Sequence, residues 1–261
     1  MKFWVVSCVY NAQSFIEQHI DSVKGQKGCE FVHCVIDDNS TDGTSEILEK
    51  ESKSRDTSFA LLNKPERTGA LRSWRLAMDN LPIEDDDVVV ELDGDDWFTH
   101  DGVLARIKQE YDDGYLATYG NYRIEYDPEE WDKEIPPHMK VSRCGPKLLD
   151  IPVRKQLDGE WRYSAIRSFK KYLFNEIPEG AWKDSRGMPF YHCKDIVYFV
   201  PLLELIGMEK LSFIDEELMV YNYHPNNDFV PNGHGCGYAE QERVARELYL
   251  RSPIPKLASV K

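Results

Sequence analysis

Residues 88–92, Val-Val-Val-Glu-Leu, form an apolar run too short for an ordinary helix and suited to a buried strand. The run stops at Asp93-Gly94-Asp95-Asp96, so three carboxylates crowd the turn that follows. Carboxylates that close repel one another unless a cation holds them. Their hard oxygens suit Mg²⁺ or Mn²⁺, ions that commonly grip a substrate's phosphates as well. A strand ending this way sets its acids at the carboxyl edge of a sheet, where open α/β folds bind ligands. A merely solvated acidic turn is the plain alternative, and the preceding chain decides between the two.

Upstream, strand-like and helix-like stretches alternate. Residues 3–9 are an apolar run broken by Tyr10-Asn11. Ser14 and Glu17 have the spacing of a capping box, and Phe15, Ile16, Ile20 and Val23 follow at helical intervals. Phe31–Ile36 reads as a second strand, 44–54 as a helix, Phe59–Leu62 as a third strand and 68–80 as a helix. Such alternation with short links predicts an α/β fold, a doubly wound and mostly parallel sheet. Downstream the pattern loosens into an irregular half. Residues 127–160 carry Pro128, Pro136, Pro137, Pro146 and Pro152. Helices are expected at 164–175 and 194–206, and a strand over Leu211–Tyr223 broken near Asp215. A loop at 225–237 and an amphipathic helix at 238–250 complete the chain. No boundary stands out, so residues 1–261 read as one domain with a first half, 1–125, a second, 126–224, and a tail, 225–261.

Composition narrows the function. A length of 261 residues with 41% hydrophobic and 30% charged content describes a globular chain with a substantial core. The net charge of −14 argues against nucleic acid and against anionic membrane surfaces. No apolar run approaches the ~20 residues of a membrane helix, and no leader-like stretch precedes Met1-Lys2-Phe3-Trp4. The six cysteines include no Cys-x-x-Cys pair and read as reduced thiols, so a cytoplasmic location is expected.

Residues 38–49 nearly spell a calcium loop, Asp38-x-Ser40-x-Asp42-Gly43-x5-Glu49. Such a loop follows a helix, whereas Phe31–Ile36 is a β-type run, and Ser45 occupies a position that is ordinarily apolar. The stretch reads instead as a strand end presenting Asp38, whose carboxylate can accept a hydrogen bond from a base N–H such as uracil's. A turn-forming Asp is the structural alternative.

Cys8-Val9-Tyr10-Asn11, the block from Asp37 to Thr44, and Leu92-Asp93-Gly94-Asp95-Asp96 resemble, in order and spacing, the A-type nucleotide-sugar glycosyltransferases. More narrowly, they resemble the large inverting family 2, over roughly residues 1–125. The resemblance makes the first half the nucleotide-sugar and metal half and the second the acceptor half. It implies that Cys8, Tyr10 and Asn11 line the donor site, with Tyr10 against the nucleobase and Asp38 on its ring N–H. Asp93 would lie near the ribose and metal, Gly94 would belong to the donor site beside it, and Asp95, with Asp96 as its neighbour, would hold Mn²⁺ or Mg²⁺ on the diphosphate. Arg67 and Arg72 stand where the family has an arginine near the diphosphate. Tyr221-Asn222-Tyr223-His224 is similar to an element whose histidine approaches the metal.

An inverting transferase needs a base for the acceptor hydroxyl. The family commonly takes it from an Asp after Glu at a helix start. Here Lys194-Asp195 stands in that place, with Lys for Glu, so Asp195 is the candidate base and Asp184 and Asp158 are competitors. A helix-capping Asp is the alternative. Trp161 and Arg167, in an aromatic and basic stretch, are candidates for holding a carbohydrate or other hydroxyl acceptor. Oligomerisation stays open. Two rivals follow from the same motifs. A sugar-phosphate nucleotidyltransferase would open on a Gly-rich basic loop, where this chain has Tyr10-Asn11-Ala12-Gln13-Ser14. A non-catalytic nucleotide-sugar- or carbohydrate-binding module would not need its three acids intact.

Overall fold

The computed structural model describes residues 1–54, 58–126, 144–158, 161–163, 165–227 and 237–258. Among them, eight strands form one sheet in the order β3-β2-β1-β4-β7-β6-β8-β5. The first three strands are β1 (Phe3–Val9), β2 (Phe31–Asp37) and β3 (Phe59–Asn63). With β4 (Val88–Glu91) they form a parallel block in which β1 pairs with β2 on one side and β4 on the other. The chain winds outward from β1 to β3, then returns past β1 to β4. That reversal opens a crevice at the carboxyl ends of β1 and β4. Helices α1 (Ile16–Lys24), α2 (Thr44–Ser52) and α3 (Ala70–Asn80) are the crossovers. Strands β1 and β4 are buried at every position, as strands covered on both faces must be.

Strand β5 (Trp97–Phe98) and helix α4 (Val103–Asp112) lead into the second half. Its sheet is mixed. Strand β7 (Ser168–Lys170) runs antiparallel between β4 and β6 (Ala117–Glu125), and β8 (Leu211–Asn222) runs parallel to β6 and antiparallel to β5. The helix expected over 164–175 is therefore only α5, Lys171–Asn175, because Ser168-Phe169-Lys170 is taken up by two neighbouring strands. The expected break near Asp215 is a bulge in a continuous strand. Gly120 pairs with Ile214 but Asn121 with Glu217, so Asp215 and Glu216 are extruded. Ser14 and Glu17 form no capping box; α1 begins after Phe15 without a side-chain cap.

Helix α6 (Lys194–Ile206) is buried around most of its circumference and fills the space between the halves. Trp74 of α3 stacks on its Tyr198, ring centroids 4.4 Å apart, with Phe169 and Phe174 closing the cluster. Helix α7 (Gly237–Leu250) lies against the turn Val153–Leu157, where Arg154 pairs with Glu204 of α6 at 2.8 Å and donates to the Leu248 carbonyl. The segment after α7 is strapped to α6 by the Leu257 amide donating to the Leu205 carbonyl at 3.0 Å. No helix among the described residues is long and apolar enough to cross a membrane.

Candidate active site

A cleft of about 410 Å³ opens at the crevice between β1 and β4. Its lining brings together residues from distant parts of the chain: Tyr10 and Asn11, Asp38, Arg67, the turn Asp93–Asp96, Lys194-Asp195 and His224. The close approach that makes this possible is at Gly94. A Cβ there would stand 2.3 Å from a Val9 methyl and 3.0 Å from the Cys8 carbonyl, so the acidic turn can lie against the end of β1 only with glycine. The Gly94 amide donates to that carbonyl at 3.1 Å. Left-handed backbone gathers on the cleft wall, at Asn11 (φ 51°), Ile166 (φ 36°) and Cys193 (φ 60°). Such conformations persist in non-glycine residues only where surroundings impose them, commonly at functional sites.

On the β1 side, the Arg67 guanidinium lies 3.7 Å from the Tyr10 ring centroid, a cation–π stack at the cleft's edge. Arg72 stacks instead on Tyr191, at 3.9 Å, and is not among the lining residues. Asn11 ties β1 to the loop after β2: its Oδ1 accepts from the Thr41 amide at 2.8 Å and its own amide donates to Ser40 Oγ at 3.0 Å. Cys8 is buried in the wall and donates its thiol to the Ala70 carbonyl. Asp38 is more engaged than its sequence context suggests. Its Oδ1 accepts from Lys64 Nζ, the Thr68 amide and Ser73 Oγ, and its Oδ2 from the Gly69 amide at 2.7 Å. Burial pushes this carboxyl's pKa up, but Lys64 and the surrounding N–H and O–H donors outweigh it and hold the group below its ordinary value. Asp38 thus fixes the loop that carries Arg67, while Oδ2 retains lone-pair capacity on the cleft side. Lys64, which no motif marks, is the residue that sequence reasoning missed here.

The three acids of the turn have three environments. Asp93 is half exposed and is bonded by Lys194 Nζ. Asp95 Oδ2 meets His224 Nε2 at 2.9 Å and Asn227 Nδ2 at 3.2 Å. Burial raises its pKa, but the His224 hydrogen bond and charge prevail and hold it below the ordinary carboxylate value. Asp96 is 2% exposed, and its Oδ1 accepts from the Asn222 amide at 3.0 Å, which pins β8 to the turn. Burial, then the charges of Asp95 and Asp93, push its pKa well up. The His224 Nδ1 accepts from the Asn226 amide at 3.3 Å, which leaves Nε2 aimed at Asp95. Among the described residues no three His, Cys, Asp or Glu side chains converge as a ready metal cage. Asp95 and His224 are nevertheless the donor types that fit Mn²⁺ or Mg²⁺, which commonly take one or two protein ligands and complete their shell with phosphates and water.

Asp195 lines the cleft at the start of α6. Desolvation lifts its carboxyl above its ordinary value against the opposing charge of Arg167, the direction that suits a base. The competitors stand elsewhere. Asp158 is exposed, Asp184 is clamped by Arg186 at 2.6 Å, and neither lines the cleft. The two acceptor candidates are corrected. Arg167 reaches the cleft wall but is 4% exposed and forks onto Glu91, both bonds at 2.9 Å, so its charge is already spent. Trp161 packs edge-on against Tyr163 and does not line the cleft. Among the described residues, the tyrosines that line it besides Tyr10 are Tyr122, Tyr191 and Tyr221.

A mixed α/β sheet with acids at the strand ends of its switch-point cleft is the arrangement expected of an A-type nucleotide-sugar transferase fold. Comparison with known proteins agrees. The sequence model of glycosyl transferase family 2 matches residues 4–174, and the chain belongs to that family. A curated relative, the GalNAc(5)-diNAcBac-PP-undecaprenol beta-1,3-glucosyltransferase of Campylobacter jejuni, is 29% identical over 124 residues, 48% of this chain and 39% of that protein. Among solved structures, TarS of S. aureus (residues 1–349, with UDP) superposes with a TM-score of 0.61 at 18% identity, over 87% of this chain and 62% of TarS. GalNAc-T7 with UDP, GalNAc and Mn²⁺ gives 0.60 at 13% identity, over 95% and 48% of the two chains. The mannosyltransferase PcManGT of Pyrobaculum calidifontis, with GDP-Man and Mn²⁺, gives 0.54 at 18%, over 86% and 57%. The chain thus spans less than two thirds of each of these chains, and the structural likenesses establish the fold.

Proposed function

We propose that this glycosyltransferase moves a sugar, with inversion and with help from a divalent metal, from a uridine diphosphate donor to a hydroxyl on a glycan, lipid-linked sugar or protein. One observation carries the reading: Asp95 with His224, and Asp195, line a single cleft. The first pair is suited to a metal on the donor diphosphate, and the last to a proton on the acceptor. Tyr10 offers a ring for the base, and Asp38 Oδ2 an acceptor for its N–H. Arg67 stands near enough to turn from the Tyr10 ring to the phosphates. A bound Mn²⁺ or Mg²⁺ supplies charge stabilisation for the leaving diphosphate. Asp195 takes the acceptor proton as the hydroxyl attacks the anomeric carbon from the side opposite the diphosphate. That an A-type relative was solved with UDP and Mn²⁺ is in keeping with this reading.

The test is thermal denaturation with UDP and GDP, each with Mn²⁺ and with chelator. At ~100 times its dissociation constant, a ligand of the native state adds about 2.7 kcal/mol. UDP with Mn²⁺ is expected to stabilise the protein, and chelator to remove most of the shift. Equal shifts from UDP and GDP would count against the uridine assignment, and a shift that survives chelation against the metal.

A further inference from the structure

Glu91, the last residue of β4, is 2% exposed at its side chain and accepts from three residues: the Arg167 fork, the Tyr198 hydroxyl and Lys194 Nζ at 2.7 Å. Arg167 alone balances its charge. Lys194 is therefore surplus to the neutralisation of Glu91, and its position is unfavourable twice over. It is an ammonium 8% exposed, and it sits at the first residue of α6, the positive end of the helix dipole. Where a chain breaks local rules in this way, the reason commonly lies in function.

The geometry shows what the ammonium can do. It has three N–H donors. Among the described residues its acceptors are two, Glu91 and Asp93, and Lys194 itself lines the cleft. It stands between Asp93 of the metal turn and Asp195, its neighbour in sequence, on the stretch of cleft floor between the proposed metal pair and the proposed base. With the diphosphate at the metal pair and the acceptor hydroxyl at Asp195, as in the reading above, the transferred sugar would lie between them. Charge decides which sugar oxygen fits. Glu91 and Asp93 offset Arg167 and Lys194, and Asp195 leaves the floor with an excess negative charge. A carboxylate on the sugar would meet that charge, whereas a hydroxyl or amide oxygen would not.

We propose that Lys194 is a specificity-determining residue that donates its remaining N–H to a neutral oxygen of the transferred sugar, a hydroxyl or an N-acyl carbonyl. The proposal rests on the nucleotide-sugar reading above. It makes the donor a neutral hexose or N-acylhexosamine and disfavours a uronic acid.

Calorimetric titration in Mn²⁺ tests it, with UDP, UDP-glucose, UDP-N-acetylglucosamine and UDP-glucuronate against wild type, Lys194→Met and Lys194→Arg. Wild type is expected to bind at least one neutral donor more tightly than UDP. Lys194→Met is expected to keep its affinity for UDP and to lose about 10-fold or more for that donor, the scale of a charged hydrogen bond, with Lys194→Arg between the two. An unchanged ratio of donor to UDP affinity in Lys194→Met overturns the proposal, as does a wild-type preference for UDP-glucuronate. If Lys194→Met does not fold, wild type decides the matter with donors lacking single hydroxyls or the acetyl group. One such deletion is expected to erase the gain over UDP, and a gain that survives every deletion overturns the proposal. Failure of wild type to bind UDP with Mn²⁺ at all would instead overturn the nucleotide-sugar reading itself.

Discussion

Glu91 and Asp95 stand four residues apart at the end of the same strand, yet they sit in opposite situations. Glu91 is sealed: a guanidinium fork, an ammonium and a phenol hydroxyl saturate it, and their charges hold its pKa far below the ordinary value despite burial. Asp95 is 29% exposed and holds one histidine and one amide at the wall of a cleft. The saturated carboxylate has no capacity left for a ligand and organises the floor by tying β4 to the start of α6. The unsaturated one is placed to exchange a hydrogen-bond partner for a cation. Acidity of sequence does not separate these roles. The count of donors on each carboxylate oxygen does: Glu91 has two on both, while Asp38 Oδ2 has one and Asp95 Oδ1 accepts none among the described side chains.

The widest separation between the two is in stability. Glu91→Gln should lower unfolding free energy by about 3–5 kcal/mol, because Arg167 would be left buried without its counter-charge. Denaturant titration checks this, and a variant as stable as wild type would place Glu91 among the ligand-binding acids instead. Asp195→Asn probes the proposed base, which lines the same cleft as Asp95. Its rate of sugar transfer should fall by ~10²-fold or more, while UDP and Mn²⁺ bind nearly as in wild type. Near-normal transfer would remove Asp195 from the reaction, and lost nucleotide binding would move it into the donor site. Asp95→Asn should leave the melting temperature unchanged or slightly raised, since it relieves repulsion in the turn. The same variant should lose the Mn²⁺-dependent stabilisation by UDP, about 2.7 kcal/mol at saturating ligand. Unfolding of Asp95→Asn would make the turn scaffold rather than site.

The smallest effect lies behind the turn. His19 is wholly buried, with Nδ1 2.6 Å from the Asp96 carbonyl and Nε2 2.9 Å from Ser7 Oγ and 3.1 Å from His33 Nε2. Burial lowers its pKa from 6.5 to about 4, so the folded protein holds it neutral. The unfolded chain binds that proton more readily. The stability His19 contributes is present above pH 6.5 and is lost as pH falls toward 4, at up to about 1.4 kcal/mol per pH unit. Replacing His19 with Gln should flatten the acid limb of the stability–pH curve between those values, whatever its effect at neutral pH. An acid limb of unchanged slope would show that other groups carry it.

The first half of the fold was legible because its signals are local. Apolar runs such as Phe3–Val9 and Val88–Glu91 match buried strands within a residue or two, and the intervening helices carry their own periodicity. Helix 194–206 was legible for the same reason. The strand Ser168–Lys170 was not, because three residues have no period of their own and their conformation is set by β4 and β6 on either side. The site divides along the same line. Asp93, Asp95 and Asp195 announce themselves by type and position. Trp161 does not line the cleft, and Arg167 lines it but forks onto Glu91, because an arginine amid aromatics looks alike in sequence whether its charge is free or taken up by a buried glutamate. Lys64 and Asn227 were unmarked because their roles depend on groups 26 and 132 positions away.

By itself, the order of short apolar runs and polar strand ends determined an α/β sheet with acids at its carboxyl edge, since strand period and turn chemistry are properties of neighbouring residues. Only the tertiary structure decided which acids remain available. Whether a carboxylate is saturated depends on which donors the fold brings within 3 Å of it, and those donors, Arg167 and Lys194 for Glu91 and His224 for Asp95, come from the far side of the chain.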